Sequence, residues 1–259
     1  MRAGRLVLIL FLLTSVAACG WLPKQQDQTK NWSASRLYSE AKSSLNSGDY
    51  QQAIKYFETL EGRFPFGRYA QQAQLEVAYA YYKYDEPDSA IAAADRFIKL
   101  HPQHPHVDYA YYLKGLINFN RGAGLLERFF PQDPSERDPG SARQAFLDFR
   151  ELVTKFPNSR YTQDALLRMN YLRNNLAKHE IKVARYYMRR QAYVAVVNRC
   201  KYVVDHYDRS PSIPDALFIM ADAYDKLKLP TLANDARRVL KKNFPRYQPV
   251  KQKSGWWLF

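Results

Sequence analysis

Side chains able to do covalent or metal chemistry are few here: two cysteines and five histidines in 259 residues. Cys19 closes a short apolar run directly after Ala17 and Ala18, where a thiol is placed for acylation. Cys200 lies among Val196, Val197, Val203 and Val204 in a helical pattern and reads as a buried small hydrophobe. His101, His104 and His106 cluster in HPQHPH, but the intervening prolines make this a solvated connector rather than a ligand set. There is no GxSxG, no HExxH, no phosphate-cradling glycine loop and no Cys/His pair at zinc spacing. Acidic residues are scattered over helical faces, with no pair set for acid and base work. The reading is a non-enzyme without cofactor or metal, whose chemistry is lipid attachment and non-covalent binding.

The elements that carry Cys19 fit that reading. Arg2 and Arg5 precede an apolar run from Leu6 to Leu13, too short for a membrane span, and small residues follow it, as in a secretory signal. A cysteine at this place resembles the lipobox of bacterial lipoproteins, in which it is diacylated and becomes the mature N-terminus. Two or three acyl chains, at roughly 0.8 kcal/mol per buried CH₂, make a stable anchor where one does not. Gly20 is not aspartate, which in such lipoproteins argues against retention at the inner membrane. Residues 1–18 are thus expected to be the signal peptide and 19–33 a lipidated start and flexible tether, with the mature protein anchored at the periplasmic face of the outer membrane. Removing the leader lowers the formal charge from +14 to +12. A basic surplus outside the cytoplasm points to acidic protein surfaces or lipid phosphates, not to nucleic acid.

From residue 34 to 245 the chain repeats itself. Ala53, Phe57, Leu60, Phe64 and Pro65 set a frame that recurs at Ala90 to Pro102, at Ala145 to Pro157 and at Ala233 to Pro245, with a weaker copy from Val196 to Asp208. Alanine with bulky residues four and seven places on makes one helical stripe, and proline after the last turn stops the helix. Pro65 and Pro102 stand 37 apart, near the ~34 of a tetratricopeptide unit. The fold class is therefore all-α, a superhelical solenoid of five tetratricopeptide-like helix pairs. Surplus residues between Pro102 and Pro157 fall in a Gly/Pro-rich insertion at 121–141, and helices lengthen around 162–190. Residues 246–259 form a basic and aromatic tail.

A helical solenoid offers a concave face lined by the first helix of each pair. Counting from the small residues Ala41, Ala78 and Gly115, groove-facing places are Tyr38 and Leu45, then Leu75, Tyr79 and Tyr82, then Tyr112, Leu116 and Phe119. Tyrosine gives large area, few rotors and a polar tip, suited to an extended peptide; alternatively these rings only pack between helices. Lys178, Lys182, Arg185 and Arg189 follow helical spacing and predict one basic face, and Val194 to Asn198 leads into Arg199, an arginine able to meet a partner carboxylate.

The lipobox, FPFGRY (64–69), AYAYYK (78–83), DRFIKLHPQHPHVDYAYYLKG (95–115), RDP (137–139), FPNSRYTQDA (156–165) and YVAVVNRC (193–200) together resemble the BamD (ComL) family. These are outer-membrane lipoproteins of the β-barrel assembly machinery, the Bam complex. The resemblance implies a scaffold that binds the POTRA domains of the barrel assembly protein and the accessory outer-membrane lipoproteins. It also implies help in receiving unfolded outer-membrane proteins through their C-terminal β-signal. By matching position, Phe64, Pro65, Phe66 and Gly67 would join Tyr38, Tyr79, Tyr82, Tyr112 and Phe119 at the substrate groove. Arg199, with Asn198, Arg185 and Arg189, would meet the barrel protein. The alternative is an envelope scaffold in cell-wall or lipid-A assembly. The tail has no counterpart in the resemblance; its Gly255-Trp-Trp-Leu-Phe259 looks like a β-signal that could fold back onto an aromatic groove, the alternative being that these rings cap an exposed apolar surface or touch the membrane interface.

Overall fold

The computed structural model describes residues 28–121, 133, 135 and 139–249. The predicted leader, Cys19, the tether as far as residue 27, most of the insertion and the tail beyond Pro249 lie outside them. Ten helices occur among the described residues: α1 (Ala34–Ser47), α2 (Tyr50–Arg63), α3 (Arg68–Lys83), α4 (Pro87–Leu100), α5 (Val107–Asn120), α6 (Pro139–Lys155), α7 (Thr162–Arg189), α8 (Tyr193–His206), α9 (Ile213–Lys226) and α10 (Pro230–Asn243). They make five antiparallel pairs in chain order. Each helix packs on its neighbours in sequence, and the first helices of some consecutive pairs also touch: α1 with α3, α3 with α5, and α7 with α9. No described helix is long and apolar enough to cross a membrane.

Helix ends follow from local chemistry. Ser33 accepts from the Arg36 N–H and Asp49 from the Gln52 N–H, capping α1 and α2. Gly48 turns between them at φ 85. At the far ends of α2, α4 and α10 the cap residues Phe64, His101 and Phe244 leave the helical region at φ near −130, as the residue before a proline must. Tyr207 does the same before Asp208 at φ −120.

Small residues hold the pairs together. Ala41, Ala53, Ala78, Ala90, Ala94, Ala145 and Ala233 are fully buried. Gly115 of α5 is the tightest case: a methyl group there would lie 2.4 Å from the Phe149 ring of α6. Around these contacts run three apolar clusters. The first joins Leu37, Phe57, Leu60, Val77 and Ile117; the second joins Phe97, Tyr111, Phe149, Leu152 and Leu172; the third joins Leu176, Ile181, Val196, Cys200 and Val203. The predicted lengthening around 162–190 is one continuous 28-residue helix, α7, which enters both the second and the third cluster. Burial pushes the Cys200 thiol up to about 12, in keeping with an inert core position.

Two boundaries differ from the sequence expectation. Residues 28–33 are part of the folded unit and not of a free tether: Thr29 is buried, its carbonyl accepts from Arg63 at 2.5 Å, and the Trp32 ring lies 5.4 Å from Tyr56 with the Arg36 guanidinium over it. Polarity alone misled there, because Thr29 uses its backbone for the contact and a lone Trp32 shows no period. The insertion is also shorter, since α6 starts at Pro139. Within it Asp133 is fixed to α7 by Lys178 and Lys182, at 2.7 and 2.9 Å, and the Ser135 carbonyl lies 2.9 Å from His179 Nδ1.

Gly115→Ala is expected to lower stability by about 1–3 kcal/mol through overpacking. Adding Phe149→Leu should recover part of the loss, read as paired shifts in thermal unfolding. Full stability in Gly115→Ala alone would contradict the packing.

Candidate peptide groove and partner face

The first three units enclose a cavity of about 620 Å³ along their first helices. Lys42 and Asn46 of α1, Glu76, Tyr79 and Lys83 of α3, Tyr109 of α5 and Tyr161 before α7 form its walls. Lys42 Nζ lies 2.8 Å from Glu76 Oε1, so one ion pair spans α1 and α3 within the groove. On the opposite wall Tyr161 stacks on Tyr112 at 4.7 Å and 16° and touches Tyr109 at 5.5 Å. Tyr112 donates its hydroxyl to Asp164 at 2.6 Å, and burial with this hydrogen bond pushes its phenol up to about 12. The surface therefore alternates aromatic faces with paired charges and polar tips, which suits a partly apolar extended chain.

The expected groove residues separate under this geometry. Tyr79 lines the cavity, and Tyr82 lies 6.3 Å from it with its hydroxyl accepting from Asn120. Tyr38 is wedged against Phe57 and Tyr69, half-buried between α1, α2 and α3. Phe119 packs on Phe149 and Tyr171 beneath the Arg168 guanidinium. Tyr38 and Phe119 thus each rest on neighbouring rings and are half-buried. Leu45 and Leu75 contribute to the cavity wall but are almost wholly buried.

In FPFG the two phenylalanines diverge. Phe64 packs half-buried on the first cluster, whereas Phe66 is 90% exposed. Gly67 then leads the chain into α3 at φ 94 and ψ 175, a region essentially closed to residues with a Cβ. Pro65 and Gly67 are themselves exposed, so this turn presents one ring, Phe66, to solvent.

Lys42, Asn46, Glu76, Tyr109 and Tyr161 were not anticipated. Lys42 holds the place one after Ala41, equivalent to Tyr79 after Ala78, but carries no ring. Tyr109 lies in the first turn of α5 and Tyr161 in the turn before α7, away from the places counted from the small residues. His106 also reaches the cavity, while His101 and His104 lean on Phe97 at 5.3 and 5.2 Å. Burial lowers the His104 pKa, which favours a neutral packing ring.

At the other end the predicted basic row is divided. Lys178 and Lys182 close on Asp133, and Arg185 on Asp215 at 2.9 Å, while exposed Arg189 lies 6.0 Å from the Tyr186 ring. Arg199 has a partner within the chain: Nη1 is 3.0 Å from Glu180 Oε2, with Arg143 at 3.9 Å from the other oxygen. Glu180 is only 3% exposed, but the Arg199 side chain is 45% exposed. One side of its guanidinium therefore neutralises a buried carboxylate while the other faces solvent beside exposed Val194 and Asn198.

Comparison with known proteins shows the family. The family model YfiO, described as an outer membrane lipoprotein, matches residues 30–240. The outer membrane protein assembly factor BamD of Neisseria meningitidis serogroup B is 47% identical over 252 residues, 95% of this chain and 94% of that protein. BamD of Xylella fastidiosa (strain Temecula1) is 39% identical, covering 84% of this chain and 74% of its own length. Among solved structures, the P58(IPK) TPR domain is similar at TM-score 0.42 and 14% identity, over 82% of this chain and 51% of that one.

Arg199→Glu is expected to cost about 2–3 kcal/mol, because it sets two carboxylates together at a buried site. Glu180→Gln in the same chain should restore at least half of that, measured by denaturant unfolding. Equal stability of wild type and Arg199→Glu would show that the pair contributes nothing.

Proposed function

Because this chain belongs to the BamD family of outer membrane protein assembly factors, we propose that it is a non-enzymatic scaffold lipoprotein of the β-barrel assembly complex. In this reading the groove of units one to three receives extended segments of unfolded outer-membrane proteins. The exposed side of Val194, Asn198 and Arg199 docks the POTRA domains of the barrel assembly protein, and the C-terminal half also holds accessory lipoproteins. Acylated Cys19 tethers the whole at the periplasmic face. The observation that carries the reading is the groove itself: a cavity of about 620 Å³ with tyrosine walls and an internal ion pair.

Aromatic anchors dominate such contacts, at about 2 kcal/mol or more for a well-packed ring. Tyr79→Ala should therefore weaken binding of a β-signal peptide about tenfold or more while leaving the melting temperature nearly unchanged, since Tyr79 is half-exposed. A photo-crosslinking residue at position 79 in the full chain should capture unfolded outer-membrane protein, and one at position 198 the POTRA-bearing protein. Capture of both partners at both positions, or of neither, would overturn the assignment.

Cys19→Ala is expected to leave the fold intact and to release the protein from the outer membrane fraction. Retention there, with normal precursor cleavage, would rule out the lipid anchor.

A further inference from the structure

Residues 244–249, the last described, stay on the solenoid. The Tyr247 N–H donates to the Phe244 carbonyl at 3.0 Å, and the segment 246–249 turns back over α9. Tyr247 then donates its hydroxyl to Asp215 Oδ1 at 2.5 Å and sets its ring 6.1 Å from Phe218. Asp215 is held from the other side by Arg185 of α7, so a phenol acceptor is fixed between two helices. Phe218 stands three residues before buried Ala221, the place occupied by Tyr38, Leu75 and Tyr112 in earlier units. Phe218 is half-buried, and the Tyr247 ring covers it.

The cover is incomplete. Gln248 and Pro249 are exposed, Tyr247 is the half-buried anchor, and a cavity of about 200 Å³ remains between the strap and Met188, Arg189 and Ile219. Burial and the hydrogen bond to Asp215 hold the Tyr247 phenol protonated, as donation requires. A segment built as part of the core would be buried along its length. This one is attached by one side chain to a preformed acceptor and an apolar wall.

We propose that the groove between α7 and α9 is a binding site for an extended, tyrosine-bearing peptide, filled here in cis by residues 246–249 and taken by a like segment of a partner protein when the strap leaves. A tethered occupant acts from an effective concentration in the millimolar range, so it screens out weak competitors and yields to a stronger one. The proposal concerns a different groove from the one assigned to substrate and stands without that assignment.

The test uses the full chain and a fluorescein-labelled peptide of residues 244–249, Phe-Pro-Arg-Tyr-Gln-Pro, followed by anisotropy. Tyr247→Ala should bind the peptide about tenfold more tightly than wild type, by removing the competing occupant. Tyr247→Ala with Phe218→Ala should lose that binding. Equal affinity for wild type and Tyr247→Ala, or no binding to Tyr247→Ala, would overturn the proposal. So would loss of the cooperative melting transition in Tyr247→Ala, because the strap would then be a structural part of the fold.

Discussion

A repeat of this kind closes only where one helix of a pair gives up side-chain volume to the other. The contact of Gly115 with Phe149 is the extreme form, and buried alanines at 41, 78, 90 and 145 are the ordinary one. Everything else in the solenoid follows from that approach. Because contacts run chiefly between neighbours in sequence, each pair is stabilised by its own interface and the next one. The spacing of first helices then fixes the width of the groove, and so which rings look into it.

Charge is spent internally to a degree that net charge conceals. Lys42 is occupied by Glu76, Lys178 and Lys182 by Asp133, Arg185 by Asp215, and Arg199 by Glu180. Asp148 is buried with Asn118 and Gln144 donating to it. Desolvation nevertheless raises its carboxyl above the ordinary range. Its native form thus holds a proton more readily than the unfolded chain does, and that contribution to stability is present at low pH and fades as pH rises through the native value. Asp133 behaves in the opposite sense: the ammonium groups of Lys178 and Lys182 hold it well below the usual carboxylate range. Its contribution is present above the unfolded value and is lost on acidification. Pairing removes cations and anions together, so the formal surplus of +14 stands and is carried by the cations left outside these pairs.

How far the fold and the groove can be read from sequence differs by the kind of signal. Alanine stripes ending at Phe64-Pro65, Phe156-Pro157 and Phe244-Pro245 are periodic and local, so the five pairs and their limits are legible. Tyr79 is legible for the same reason, as it follows the small residue by one. Glu180 is not, because a glutamate in a polar helix carries no mark of burial until α6 and α8 bring Arg143 and Arg199 against it. Nor is the folding of residues 28–33, where a buried backbone carbonyl and one tryptophan make the contact. Long-range pairing, such as Lys42 with Glu76 across 34 residues, is invisible to any reading of period.

Helix α7 has a mechanical meaning. Its 28 residues, about 42 Å of unbroken rod, belong at one end to the core that carries Tyr112 and Tyr161 and at the other to the core that carries Cys200 and Arg199. The turn at 156–161 still separates the third unit from the fourth, but the two cores share this one element beyond it. Their spacing along α7 is therefore set by helix geometry and not by the length of a loop.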